Sequence, residues 1–281
     1  MRVLIVTAVP AERDAVVRGI AATAPEVAEL PVPGGVIHRL SPVPPTGRPL
    51  TVDVLAAGVG PAAAAAGTAA ALTAAAVART PYDLAVSAGI GGGFTATPPT
   101  TAAPATTPPT TAAPTSPAPT TTRPGSAAAR LGSVVVADAI VAADLGAETP
   151  DGFAAVTDLG FGTVEHLPPA PLVAAVAEAT DAVRGTVLTV STVTGSAERA
   201  AELLRRHPHA VAEAMEGFGV AEAAAAQAVP ALEVRTVSNA VGPRDRAAWR
   251  IGEAMEALTS AFATIAPLLG TWTFDPEGTR Q

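Results

Sequence analysis

Short runs rich in Val, Leu, Ile and Thr alternate with segments of helical length, and this alternation constrains the fold more than any other feature of the chain. The runs are RVLIVT (2–7), TVDVLAA (51–57), DLAVSA (83–88), SVVVADAI (133–140), GTVLTVSTV (185–193) and LEVRTVS (232–238). Their length and β-branched content read as strands. Helical patterns fall at 11–22, 61–79, 171–184, 197–206, 213–227 and 247–265. Strands alternating with such helices predict an α/β fold, three layers (α/β/α) around a central parallel or mixed sheet, with ligands outside the strand ends.

At 281 residues, 49% of them hydrophobic, the chain is long enough for one sizeable domain spanning 1–281. Residues 95–122 are all Thr, Pro, Ala or Ser, with nothing from which to build a core. Such a composition predicts a disordered or polyproline-II-like insertion over about 95–130. The flanking patterns DLAVSAGIGGGF and LGSVVVADAIVAADLG place it inside the domain, between two strands.

Composition also removes several function classes. There is no cysteine, and the four histidines have no ligand-like spacing, so neither a disulfide framework nor a metal site is expected. A formal net charge of −8 argues against nucleic acid as a partner. The Ala-rich stretch 61–77 holds only Leu72 and Val77 as larger aliphatics, and reads as a packed helix rather than a membrane span. The start, MRVLIVTAVPAERDAV, meets Pro10, Glu12, Arg13 and Asp14 before any signal-peptide length is reached, and is expected to be a buried strand of a cytoplasmic protein.

Four segments lie just after a predicted strand or at a helix start: TAVPAERDA with Glu12, SAGIGGGF (87–94), AMEGFG (214–219) and VRTVSNAVGPRD (234–245). Each has a plain reading by itself. An acid in a first helical turn suits the helix dipole, a glycine turn is common, and an Asn after a strand often forms a turn. A glutamate between Met215 and Gly217 is different, because packing would strip its hydration unless a partner or ligand compensates.

In combination and in order, these segments resemble the purine nucleoside phosphorylase and nucleosidase family, specifically its nucleosidase branch, over nearly the whole chain outside the Thr/Pro stretch. The resemblance implies a nucleoside phosphorylase/hydrolase-like fold, an N-ribosidic bond as the point of attack, no cofactor and no metal. Glu12 then holds and deprotonates the water. The turn containing Gly89, Ile90, Gly91 and Gly92 approaches the sugar or an anion, Met215 packs on the ribose, Glu216 accepts from ribose hydroxyls, and Arg235 braces Glu216. Ser238 and Asn239 face the base. The family also implies a homodimer or larger homo-oligomer.

Two departures refine the expectation. Phosphorylases of the family carry a Gly-Asp-Pro-x-Arg type phosphate loop where this chain has Glu12, so water is favoured over phosphate dianion. Adenine-specific nucleosidases place an Asp where Asn239 stands. A 6-oxopurine presents two acceptors, N7 and O6, which an amide NH2 matches and a carboxylate would repel. Hypoxanthine is therefore the expected base. LGAETPDGF (145–153) and SNAVGPRDRAAWRI (238–251) are similar to 6-oxopurine nucleosidases whose substrate carries a benzoate beyond the sugar. Arg244, Arg246 and Arg250 are the candidate cations for it, with Arg244 taken as the binding residue. A phosphorylase, a methylthioadenosine-type nucleosidase and a nucleoside-binding module without turnover stay open as alternatives.

Overall fold

The structure is a computed structural model, and it describes residues 1–21, 26–43, 49–94 and 128–272. The Thr/Pro/Ala-rich insertion expected at 95–122 lies outside the described residues. Its borders come together: a Cβ built on Gly93 would stand 2.7 Å from the Ala129 carbonyl oxygen.

The strands are β1 (Arg2–Thr7), β2 (Val27–Val32), β3 (Gly35–Val43), β4 (Leu50–Ala56), β5 (Leu84–Gly93), β6 (Val134–Ala142), β7 (Gly146–Thr149), β8 (Gly152–Ala155), β9 (Glu165–His166), β10 (Val183–Thr189), β11 (Ala210–Ala214) and β12 (Ala231–Ala240). The α-helices are α1 (Pro10–Ala21), α2 (Pro61–Val77), α3 (Ala170–Thr180), α4 (Ala197–Arg206), α5 (Gly217–Ala225) and α6 (Ile251–Leu269). The main sheet runs β11-β10-β6-β12-β5-β1-β4-β3-β2. It is mixed, as expected: β1 pairs in parallel with β4 and β5, whereas β12 meets β6 antiparallel. The far end of β5 also pairs antiparallel with β11, so one half of the sheet curls closed on itself.

Helices cover both faces, completing the α/β/α layering. On one side Val16, Ile20, Val173, Leu258 and Phe262 from α1, α3 and α6 pack on Ile5, Val54 and Val86. On the other, Ala64, Ala71 and Leu72 of α2 and Val220 of α5 pack on Leu4, Val6 and Ala85. Small residues set this second layer close. A Cβ on Gly219 of α5 would fall 2.1 Å from the Pro61 carbonyl oxygen of α2, so only a glycine lets the helices approach that far.

Two expectations need correction. The helix expected over 213–227 begins as a strand, because β11 takes Ala210–Ala214 into a parallel ladder with β10 and α5 starts only at Gly217. Ala favours helices intrinsically, but two flanking ladders outweigh a preference of under about 1 kcal/mol per residue. The strand expected to reach residue 193 ends at Thr189, and residues beyond it form the wall of a cavity.

Candidate active site

The carboxyl ends of β1, β5, β11 and β12 meet at a cavity of about 390 Å³, where an α/β sheet presents its loops. Glu12, Ile90, Gly91, Gly92, Met215, Glu216, Ser238, Asn239 and Arg244 all line it. Gly89 and Arg235, the remaining predicted residues, lie behind the lining and hold it in place. Of the residues singled out from the sequence, only Arg246 and Arg250 fall outside this group.

Glu12 sits in the first turn of α1, 3% exposed. One carboxylate oxygen accepts from the backbone N–H of Ala8 at 3.0 Å and of Val9 at 3.2 Å, and the other from Ile90 at 2.9 Å. The side chain therefore bridges the ends of β1 and β5. Burial pushes its carboxyl above the ordinary value, against the pull of Arg235 and of the Ile90 N–H.

Arg235 is fully buried on β12. Its Nε donates to Glu233 Oε1 at 2.9 Å, its Nη2 to Ser87 Oγ at 2.8 Å, and its Nη1 stands 3.2 Å from Glu216 Oε2, off-line for a hydrogen bond. Glu216 Oε1 accepts from the Gly60 N–H at 3.2 Å. A Cβ on Gly89 would lie 2.5 Å from Glu12 Oε1 and 2.8 Å from Arg235 Nη1. The glycine thus leaves the opening through which acid and guanidinium sense each other. Burial disfavours the Arg235 cation, but Glu233, Glu216 and Glu12 overcome that and hold its proton more firmly than usual. An opposite charge at this range makes the burial of Glu216 tolerable.

Glu216 lies two residues past the end of β11 and caps the start of α5, while Met215 beside it is half-buried at the cavity. On the opposite wall Ser238 Oγ lies 2.8 Å from Asn239 Oδ1 and 3.2 Å from the Gly91 carbonyl. The Asn239 amide nitrogen donates to the Ala240 carbonyl at 3.0 Å, and this side chain is only partly buried. Among the three arginines singled out, Arg244 alone lines the cavity, with its guanidinium 5.1 Å from the ring centre of Trp249. Arg246 lies on the same ring at 5.8 Å, and Arg250 pairs with Glu253 at 3.8 Å, one helical turn away.

Sequence reasoning missed two acids. Glu233 is fully buried; burial raises its carboxyl pKa against Arg235, and its Oε2 has no hydrogen-bond partner. Glu213 lines the cavity, and burial raises it against the donors of Thr194. Glu233 alternates with Leu and Val in a strand pattern and Glu213 opens a stretch expected to be helical, so neither carries a mark of burial and only the ladders reveal them. Among the described residues no cluster of three or more His, Asp or Glu could hold a metal ion, and no helix is long and apolar enough to cross a membrane.

Residues 125–269 match the phosphorylase superfamily. The chain is 60% identical over 272 residues to futalosine hydrolase of Streptomyces coelicolor, covering 97% of this chain and 98% of that one. It is 39% identical to futalosine hydrolase of Acidothermus cellulolyticus, covering 98% and 93%. The native futalosine hydrolase structure of Helicobacter pylori superposes with a TM-score of 0.67 over 95% of this chain and 97% of that one, at 15% identity, which speaks for the fold. With the fold, the order of the site residues and near-full-length identity in agreement, the chain belongs to the futalosine hydrolase family of the phosphorylase superfamily.

Proposed function

We infer that this chain hydrolyses the N-ribosidic bond of futalosine, releasing hypoxanthine and dehypoxanthine futalosine, a step of menaquinone biosynthesis. The observation that carries the hydrolytic reading is the buried carboxylate of Glu12, anchored by three backbone N–H groups where a phosphate dianion would otherwise sit. Identity of 60% to a curated futalosine hydrolase supports the substrate.

Cleavage builds positive charge on the ribose ring and negative charge on the departing base. Glu12 orients a water and takes one proton from it as the new C1′–O bond forms; the C1′–N9 electron pair leaves with the base, which takes up a proton from solvent to become hypoxanthine while Glu12 returns its own to solvent. Glu216 accepts from the ribose hydroxyls, and its negative charge, tethered by Arg235, stabilises the cationic sugar. Met215 packs on the sugar, while Ile90, Gly91 and Gly92 form the floor, with Gly89 behind them. Asn239, oriented by Ser238, donates to the 6-oxopurine edge, so electron density accumulating there meets an N–H. Arg244, spread on Trp249, faces the carboxylate of the benzoate arm. The protein works in the cytoplasm as a homodimer or larger homo-oligomer, without a cofactor.

The test is incubation with futalosine, inosine and methylthioadenosine in phosphate-free buffer, with detection of the released base. Hypoxanthine appears from futalosine fastest. Release that occurs only after phosphate is added assigns the chain to the phosphorylases instead.

A further inference from the structure

Glu213 occupies a place in the cavity wall that the roles above leave unused. Its side chain is buried, and both carboxylate oxygens face the turn after β10: Oε1 accepts from the Thr194 N–H at 2.8 Å and Oε2 from the Thr194 hydroxyl. Val193 and Thr194 line the same cavity. A carboxylate oxygen has two lone-pair sites, so each retains an acceptor position after Thr194 is served. A charge taken this far out of water needs those positions filled.

The strand register shows what faces it. Gly92 of β5 pairs with Asn239 of β12 on one side and with Glu213 of β11 on the other. Cross-strand partners project to the same face of a sheet, so an amide and a carboxylate flank a residue that has no side chain. A Cβ on Gly92 would stand 3.3 Å from Asn239 Nδ2 and 2.8 Å from a Val241 methyl, so the glycine keeps a narrow slot open. Two ladder spacings put the flanking backbones about 10 Å apart. That span suits the edge of a flat base with a hydrogen bond of about 2.9 Å at each end.

A 6-oxopurine carries a donor, N1–H, next to the two acceptors N7 and O6. An amide matches the acceptors, and the donor then needs an acceptor of its own. We propose that Glu213, held by Thr194, accepts the N1–H of the 6-oxopurine base, which makes it a second specificity determinant across Gly92 from Asn239. The assignment rests on the reading of the site as one for a hypoxanthine nucleoside. A 6-aminopurine has a bare lone pair at N1, which points at the carboxylate and is rejected. Base selection is then set from both ends of the slot.

The experiment has two arms. In the first, kcat/KM is measured for futalosine and its 6-amino counterpart in wild type and in Glu213→Gln. The glutamine preserves the reach to Thr194 but turns an NH2 toward N1, so the futalosine preference falls by about ten- to a hundredfold, as expected for one buried unpaired group. An equal loss on both substrates would show that Glu213 only staples the turn, and overturns the proposal. In the second arm, which needs no variant, hypoxanthine and 1-methylhypoxanthine are titrated into the wild-type protein by calorimetry. Hypoxanthine binds tighter by at least about tenfold, because only it offers the N1–H; equal affinities overturn the proposal even if Glu213→Gln does not fold. A wild type that binds hypoxanthine but leaves futalosine intact would sink the proposed function and leave this arm to decide on Glu213.

Discussion

Arg235 and Glu216 meet at 3.2 Å, guanidinium Nη1 to carboxylate Oε2, with Arg235 fully buried and Glu216 nearly so. The pair is not isolated. Glu233 holds the other side of the same guanidinium, and Glu12 lies across Gly89, so one buried cation serves three acids. Removing it leaves carboxylates that neither water nor another charge compensates.

Arg235→Ala should therefore cost about 3–5 kcal/mol of folding stability, the range for breaking a buried pair from one side. Arg235→Lys keeps the charge but has one point of contact where three are needed, so stability falls less while Glu216 loses its fixed position. Urea unfolding separates the two variants. For Arg235→Lys, a KM for futalosine that is unchanged would show that Glu216 needs no bracing.

Glu12→Gln should lower kcat by about 10²–10⁴-fold, the usual contribution of a positioned base. In the wild type the acid limb of activity should lie above the ordinary carboxylate value, because Glu12, as the proposed base, has to be ionised and burial raises its pKa. Activity rises as pH rises through that limb. Folding has the opposite sign: a folded pKa above the unfolded one means the native state binds the proton more tightly. The contribution of Glu12 to stability is thus fully present below 4.5 and lost as pH rises through the folded value. A stability slope over this window that is the same in Glu12→Gln and wild type would contradict the assignment.

Much of this site was legible before the fold. Glu12, Met215, Glu216, Arg235, Ser238 and Asn239 stand in motif order next to strand ends, and order along the chain survives in sequence. Register does not. The pairing of Gly92 with both Glu213 and Asn239 depends on β5 bending to meet β11, which no local pattern encodes. The β2–β3 hairpin was also missed, since Pro31 and Pro33 interrupt its alternation at the sheet edge, where a missing N–H is tolerated. Arg244, Arg246 and Arg250 look alike in sequence; Arg244 and Arg246 share the Trp249 ring, and only the position of Arg244 in the cavity wall separates it from the others.

Gly89→Ala tests the tightness of the acid cluster without touching a charge. The added methyl would begin 2.5 Å from Glu12 Oε1 and 2.8 Å from Arg235 Nη1, closer than real contacts allow, so one of the two must move. A shift near 1 Å at a catalytic group costs on the order of 10²-fold in rate. The expected result is a kcat/KM reduced by about that factor with a native circular dichroism spectrum. Full activity would show that the cluster is loose.

The base end of the slot yields the sharpest discrimination. Asn239 Oδ1 lies 2.8 Å from Ser238 Oγ, which leaves the amide nitrogen, 3.3 Å from where a Gly92 Cβ would be, as the donor on the slot side. Asn239→Asp replaces that donor with an oxygen. Ionised, it would set lone pairs against both N7 and O6. With its exocyclic NH2, the 6-amino counterpart of futalosine gains a partner in the same change. A buried group left unpaired loses about 1–3 kcal/mol, so the ratio of kcat/KM for futalosine to that for the 6-amino substrate should drop by about ten- to a hundredfold. On the proposed assignments Asn239 and Glu213 act on different atoms of the base, so Asn239→Asp should leave the penalty for methylation at N1 intact. A ratio unmoved by Asn239→Asp would mean that the amide does not read the base, and the choice of hypoxanthine would lose the side chain that argues for it.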